Sequence, residues 1–477
     1  MRFYVACKTL LLSTCAGLVG CSGGAESPAG VSTASSDEPA RAGRVIVISL
    51  DTLRADRLSL YGYERPTSPE LERFASQATV YTRAQAAAPW TLPSHVSLFT
   101  GKHPYEHGAR TWPVEQLAAL QSKGWTPNNN AAPLADGHTT LAEVLQAEGY
   151  ATAAVVCNLA FMDPHYGVAQ GFDLYDQKRT KWQGVNKRAL RWIDEQGEQP
   201  FFLFLNYMDT HRPVNRTPRP GFEDASAYGD ALLKVGPLVL NPDAEVPTDL
   251  LQACHDQYDL SIANLDEGLG QLFDGLRERG LFEGTTILIT SDHGEFLGEK
   301  RLIEHSKDVY QGVLHVPLLL KAPGQQEART DERWIGHVHM AGLLLEHLEL
   351  ANREAAEALL VHHRRGLDPL LSENYYTRHK DLKAPWGDRF RRVRRTLVEG
   401  PWKYIESSDG QHELYDLDAD PLEETSLVDS APIRFAELRA AMARLLGDIE
   451  PAPLPGTLAP LSEEHLEVMS DLGYAGK

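Results

Sequence analysis

Four short apolar runs, each stopping at polar residues that can do chemistry, constrain this chain more than any other feature. Arg44-Val-Ile-Val-Ile-Ser-Leu50 ends at Asp51, Ala151–Val156 ends at Cys157-Asn158, Phe201-Phe-Leu-Phe-Leu205 ends near Asp209 and His211, and Thr285-Thr-Ile-Leu-Ile-Thr290 ends at Asp292-His293. Continuous apolar and β-branched runs without polar alternation read as strands covered on both faces, the habit of parallel sheets. Between them lie helical periodicities over Thr139–Gly149 and Thr248–Gly280. That alternation predicts an α/β fold with helices on both faces of one large sheet. Ligands gather at the carboxyl ends of such strands, and three of the four runs place Asp or His there.

From about residue 366 the pattern changes to shorter alternating segments: Tyr375–Lys380, Arg389–Val398, Trp402–Ile405 and His412–Asp416, then a helix near Ile433–Leu446. This predicts a smaller antiparallel sheet and divides the mature chain into 44–365 and 366–477. Two polar, Pro-bearing stretches, Trp112–Gly137 and Arg212–Thr248, read as long loops that form lids or contact substrate, or as disorder. A formal net charge of −20 excludes a nucleic-acid partner unless a strong basic patch offsets it. The densest basic run, Arg389-Phe-Arg-Arg-Val-Arg-Arg395, is interrupted by apolar residues as an edge strand would be.

Residues 1–21 combine Arg2 and Lys8 with an apolar run, Thr9–Val19, too short to span a bilayer, which is the layout of a secretory signal. The ending Leu18-Val-Gly-Cys21 resembles the bacterial lipoprotein signal, in which the cysteine becomes the lipidated first residue. Residues 22–43, rich in Ser, Gly, Ala and Pro, then read as a flexible tether. The expected location is extracytoplasmic, lipid-anchored to the bacterial envelope on the periplasmic or outer-membrane side. Of five cysteines only Cys157 and Cys254 stay in the mature fold, as one disulfide or as two buried thiols.

The segment Pro89-Trp-Thr91-Leu-Pro-Ser-His-Val-Ser-Leu-Phe-Thr-Gly101 predicts a short helix with Pro93 in its first turn and Gly101 as its stop. Thr91 then sits at a helix N-terminus, where unpaired N–H groups favour an anion. Asp51 and the pair Asp292-His293 could hold a divalent metal against its hydroxyl and so activate a nucleophile.

The run Val45–Asp56 followed by Tyr61-Gly-Tyr63, the Thr91–Gly101 segment, Gly171-Phe-Asp173, Tyr258-Asp259 with Asp266, Ser291-Asp-His-Gly-Glu295 and the late Leu414–Glu424 stretch resemble, in order, the sulfatase family of the alkaline phosphatase superfamily. The resemblance implies a large, mostly parallel mixed sheet sandwiched by helices, with a smaller C-terminal antiparallel sheet and helix. It also implies that Asp51, Thr91, Asp292 and His293 bind one divalent metal, calcium by resemblance, while the imidazole of His293 favours zinc or manganese. Thr91 would be the nucleophile. His211 and His305 would contact the transferred group or protonate the leaving group, as in phosphoethanolamine-type transferases of the superfamily, which share the Asp-His-Gly-Glu motif followed by a histidine 12 residues (305 − 293) beyond its own.

The chain departs from that family at four places. Thr91 stands where sulfatases carry the Cys or Ser that becomes formylglycine, and threonine cannot yield that aldehyde, so no formylglycine is expected. Thr52 replaces the second Asp of a pair, His95 replaces an Arg, and Cys157-Asn-Leu159 replaces Lys-x-His. The expectation is a metal-dependent hydrolase of sulfate or phosphate esters. The alternatives are a phosphoryl-group transferase acting on envelope lipid or glycan, and an inactive fold that binds anionic glycans. Expected partners are a sulfated or phosphorylated small molecule, glycan or lipid head group, and the membrane through an N-terminal lipid.

Overall fold

A computed structural model describes residues 43–112, 131–222 and 226–471, apart from 349, 352, 367–368, 376–378, 454 and 457–460. The expected signal and tether, and most of the stretch Trp112–Gly137, lie outside the described residues.

The four apolar runs are strands of one sheet. In chain order its strands are β1 (Arg44–Leu50), β2 (Thr79–Gln85), β3 (Ala151–Val156), β4 (Leu174–Gln177), β5 (Phe201–Tyr207), β6 (Thr286–Thr290), β9 (His315–Lys321) and β10 (Arg329–Gly336). The spatial order is β10-β2-β9-β6-β1-β5-β3-β4. Strand β1 lies near the centre, parallel to β5 and β6, with Val45–Ile48 fully buried. Only β9 runs against its neighbours. A separate two-stranded hairpin, β7 (Phe296–Leu297) with β8 (Ile303–Glu304), follows β6 in the chain.

The helices that bear on the site are α1 (Pro69–Ala75), α2 (Thr91–Thr100), α3 (Pro104–His107), α4 (Leu141–Ala147), α5 (Trp182–Gln196), α6 (Ala231–Leu240), α7 (Thr248–Glu278), α8 (His337–Leu345), α9 (Arg353–Arg365) and α10 (Pro432–Asp448). Helix α4 is capped by Thr140, whose hydroxyl accepts from the Glu143 N–H while Glu143 accepts from the Thr140 N–H. Helix α2 ends at Gly101, φ +64, where an added Cβ would lie 2.4 Å from the carbonyl oxygen of Leu359. Only glycine permits both that left-handed turn and so close an approach of α9.

Four strands, β11 (Leu370–Tyr375), β12 (Val393–Glu399), β13 (Trp402–Ser407) and β14 (Glu413–Asp416), form the small antiparallel sheet, covered by α10. One face joins the main core through Leu370, Val398, Ile405 and Tyr415.

Three expectations need correction. The stretch Arg212–Thr248 contains α6, because Ala231–Leu240 carries enough apolar residues to pack on α7 despite Gly236 and Pro237. The first small-sheet strand ends at Tyr375 rather than beginning there. The basic run Arg389–Arg395 leads into β12, which lies between β11 and β13 and is not an edge; Arg394 is buried and paired with Asp308 and Glu413. Cys157 and Cys254 are buried free thiols.

Candidate active site

All the strand-end residues arrive on one rim. β1 delivers Asp51, β6 delivers Asp292 and His293, β3 delivers Asn158, and β5 leads to Asp209 and His211. Thr91 opens α2 as its first helical residue, with extended Trp90 before it.

Asp51, Asp292 and His293 are buried, and each presents one potential ligand atom within 4.8 Å of the others. Asp292 Oδ1 accepts from the N–H groups of Thr52 (3.2 Å) and His293 (2.9 Å). Thr52 takes a left-handed φ of +65, which aims that N–H at Asp292. Asp51 Oδ2 accepts from Asn158 Nδ2 at 2.9 Å. His293 Nδ1 faces the Gly294 carbonyl at 2.9 Å, so Nδ1 carries the proton and Nε2 the lone pair. Three buried atoms then have no hydrogen-bond partner: Asp51 Oδ1, Asp292 Oδ2 and His293 Nε2. Burial pushes both carboxyls up, to about 8 for Asp51, where the Asp292 charge adds to it, and to about 7 for Asp292, and burial pulls His293 down. Converging unpartnered acceptors fit a cation, which neutralises the crowded carboxylates and takes the imidazole lone pair.

The Thr91 hydroxyl counters, in small part, the upward push of burial on the Asp292 carboxyl. Asn158 Nδ2 lies 3.4 Å from Thr91 Oγ1 while also holding Asp51. His95 sits one turn along α2, with Nδ1 on the Thr91 carbonyl at 2.9 Å and Nε2 on the Ser49 hydroxyl at 2.8 Å. A carbonyl only accepts, so His95 is the Nδ1–H tautomer, and burial lowers it to about 3. It therefore braces α2 against β1 as a neutral ring.

His305 lies between two other imidazoles, 4.6 Å from His293 and 5.3 Å from His211 by ring centroid. Its Nδ1 is 3.0 Å from Glu295 Oε1. His211 is buried, with Nδ1 donating to the Arg212 carbonyl at 2.7 Å. Asp209 instead accepts from Asn215. Arg212 and Glu304, next in chain to His211 and His305, line an open pocket with Arg179, Leu232, Pro237 and Trp386.

The structure thus brings together Asp51, Thr91, His211, Asp292, His293 and His305, leaves Asp209 with Asn215, and adds Asn158, Glu295 and His95. In the sequence Asn158 is only the polar end of a strand, between the departures Cys157 and Leu159; Glu295 stands in a motif with no role; His95 is a lost Arg. Other motif residues brace the rim: the Tyr258 hydroxyl donates to the Thr52 carbonyl, Asp266 caps α1 through the N–H groups of Glu70 and Leu71, and Asp259 holds Tyr63 and Arg65.

A sequence model of the sulfatase family matches residues 44–350, more than half of the chain. The chain belongs to the sulfatase family. It is 22% identical over 440 residues to arylsulfatase K of Canis lupus familiaris, spanning 79% of this chain and 77% of that protein. To N-acetylgalactosamine-6-O-sulfatase of Bacteroides thetaiotaomicron it is 22% identical over 515 residues, spanning 83% and 91%. Its fold matches the crystal structure of a phosphonate monoester hydrolase of Agrobacterium radiobacter with a TM-score of 0.63 at 20% identity, covering 88% and 98%. This member of the sulfatase family is accordingly a hydrolase.

Proposed function

We propose that this chain hydrolyses sulfate or phosphate monoesters or diesters, with Thr91 as the nucleophile. The observation that carries the reading is the Thr91 hydroxyl at the start of α2, reached by the same Asn158 amide that holds Asp51. Asp51, Thr91, Asp292 and His293 would hold one divalent cation, which when bound lowers the pKa of a neighbouring hydroxyl and offsets the ester's negative charge.

Thr91 Oγ attacks sulfur or phosphorus, the ester C–O oxygen departs, and the group rests on threonine until water displaces it. The Thr91 proton passes to water as the bond to sulfur or phosphorus forms. His305, backed by Glu295, supplies the proton to the departing oxygen. Backbone N–H groups at the start of α2 and His211 orient the anionic oxygens. The substrate is a sulfated or phosphorylated small molecule, glycan or lipid head group. Arg179 and Arg212 in the pocket suit an anion, and Trp386 with the α6 leucines suits the apolar face of a sugar or aglycone. Names of the relatives point to sulfated glycans and to phosphonate esters, and the threonine in place of formylglycine favours direct attack.

Nitrophenyl sulfate and a nitrophenyl phosphodiester, offered with Ca²⁺, Mn²⁺ or Zn²⁺, share a leaving group and isolate the transferred centre. Turnover of either falls by about 10³ or more in Thr91→Ala, and a trapped adduct maps to Thr91 by mass spectrometry. Turnover that survives in Thr91→Ala overturns the reading. The lipid anchor is part of the same proposal: the mature protein begins at Cys21 and carries acyl mass there, and an unmodified Ser22 terminus would refute it. Among the described residues no helix is long and apolar enough to cross a membrane.

A further inference from the structure

Among the described residues a second cluster of potential ligands lies away from the rim: His103, Glu106 and His362 each offer one atom, all within 4.8 Å of one another. His103 precedes α3, Glu106 lies within it, and His362 comes from α9, 256 residues further along the chain (362 − 106). His103 and His362 are buried and their rings meet edge to face with centroids 4.5 Å apart. Glu106 Oε2 sits 2.7 Å from His362 Nε2 and also accepts the His103 N–H at 2.9 Å.

A plain hydrogen bond accounts for Glu106 and His362 but not for His103. The residue is 4% exposed, and its Nδ1 is buried with no hydrogen-bond partner. Leaving such an atom unpaired costs about 1–3 kcal/mol. Burial, reinforced by the neighbouring His362, pulls His103 well below the ordinary histidine range and keeps the ring in its neutral, ligating form.

We propose that His103, Glu106 and His362 form a second metal site, for a borderline transition ion of the zinc class. Two imidazoles and one carboxylate are a poor set for Ca²⁺ or Mg²⁺, which prefer oxygen, and a good one for Zn²⁺. Zn–N and Zn–O bonds of roughly 2.0–2.2 Å need donors about 3.4 Å apart, inside the observed spread. The ion takes the unpaired His103 Nδ1, and water fills the fourth position.

The placement assigns a structural role. Helix α9 approaches α2 where Gly101 meets Leu359, one turn before His362, and α2 carries Thr91 at its other end. A metal joining α3 to α9 clamps that contact from behind the active rim.

The test uses the full chain in an Asp51→Asn/Asp292→Asn background, which removes the rim ligands, after chelator treatment. Titration with Co²⁺ reads visible d–d absorption, and mass spectrometry reads bound Zn²⁺. One equivalent is expected to remain in this background. His362→Gln and Glu106→Gln each weaken it by about 100-fold or more, because losing a ligand costs at least what losing an outer partner does. Glu106→Gln keeps an acceptor for the His103 N–H, so it carries the test if His362→Gln does not fold. A background that binds no Co²⁺ or Zn²⁺, or binding unchanged in both variants, overturns the site.

Discussion

At the scale of single residues the rim depends on Asn158. Its side-chain amide reaches both Asp51 and Thr91, so it fixes where the hydroxyl stands relative to the carboxylate. A hydrogen bond to a charged group contributes about 2 kcal/mol, and Asn158→Ala should lower kcat by about 30-fold with a smaller change in KM. Steady-state kinetics on the better nitrophenyl ester decides this, and an unchanged kcat would sink the role. The carboxyls carry a second prediction. Without a cation Asp51 and Asp292 are pushed to about 8 and 7, so near pH 6 they hold protons that loading must displace. Metal binding at pH 6 should release about one to two protons, and affinity should fall as pH falls. Calorimetry of Mn²⁺ binding in two buffers of different ionisation heat measures the release; equal heats would contradict it. Asp51, Asp292, His293 and Thr91 were legible in the sequence because short motifs carry them at strand and helix ends. Asn158 and Glu295 were not, since their roles come from contacts 67 residues away in one case and with a loop histidine in the other.

At the scale of elements the small sheet braces the loop that carries His305. The buried Lys403 of β13 bonds Glu423 at 2.7 Å and donates to the Val309 carbonyl at 2.7 Å. Glu423 accepts the Gln311 N–H, and Asn374 of β11 donates to the Ser306 carbonyl. Burial pulls Lys403 down and pushes Glu423 up, so each charge depends on the other. Lys403→Met should therefore destabilise by about 3 kcal/mol, and Lys403→Met with Glu423→Gln by about half of that, read from urea midpoints. If the double variant is no better than the single one, the pair is not coupled. Elements with one clear period were legible, notably β1, β5, β6 and α7. Helix α6 was not, because Gly236 and Pro237 break the signal of an otherwise apolar segment. Strands β2 and β10 were missed because the charged face of Arg329–Gly336 and the mixed face of Thr79–Gln85 belong to a sheet margin.

At the scale of the whole molecule histidine burial sets the acid limit. Ten of the chain's 18 histidines are buried among the described residues. Those held below the usual value stay neutral in the native state but take a proton on unfolding. The unfolded chain then binds more protons below about pH 6.5, so stability is lost as pH falls. His339, lowered to about 3 by burial and by His362, accepts the Gly336 N–H through Nδ1. Asn can mimic that acceptor without titrating. His339→Asn, compared with wild type in chelator, should lose about 2 kcal/mol less stability between pH 7 and 4.5. Parallel pH profiles for the two proteins would argue against it.

The central place of β1 also bears on how the chain reaches this state. Its neighbours β5 and β6 begin at residues 201 and 286, so the first strand synthesised waits through most of the chain for its partners. Closing such distant pairings is slow. No N-terminal fragment ending before β6 can join Asp51 to Asp292, and cation binding at the rim therefore marks the moment when the sheet has closed.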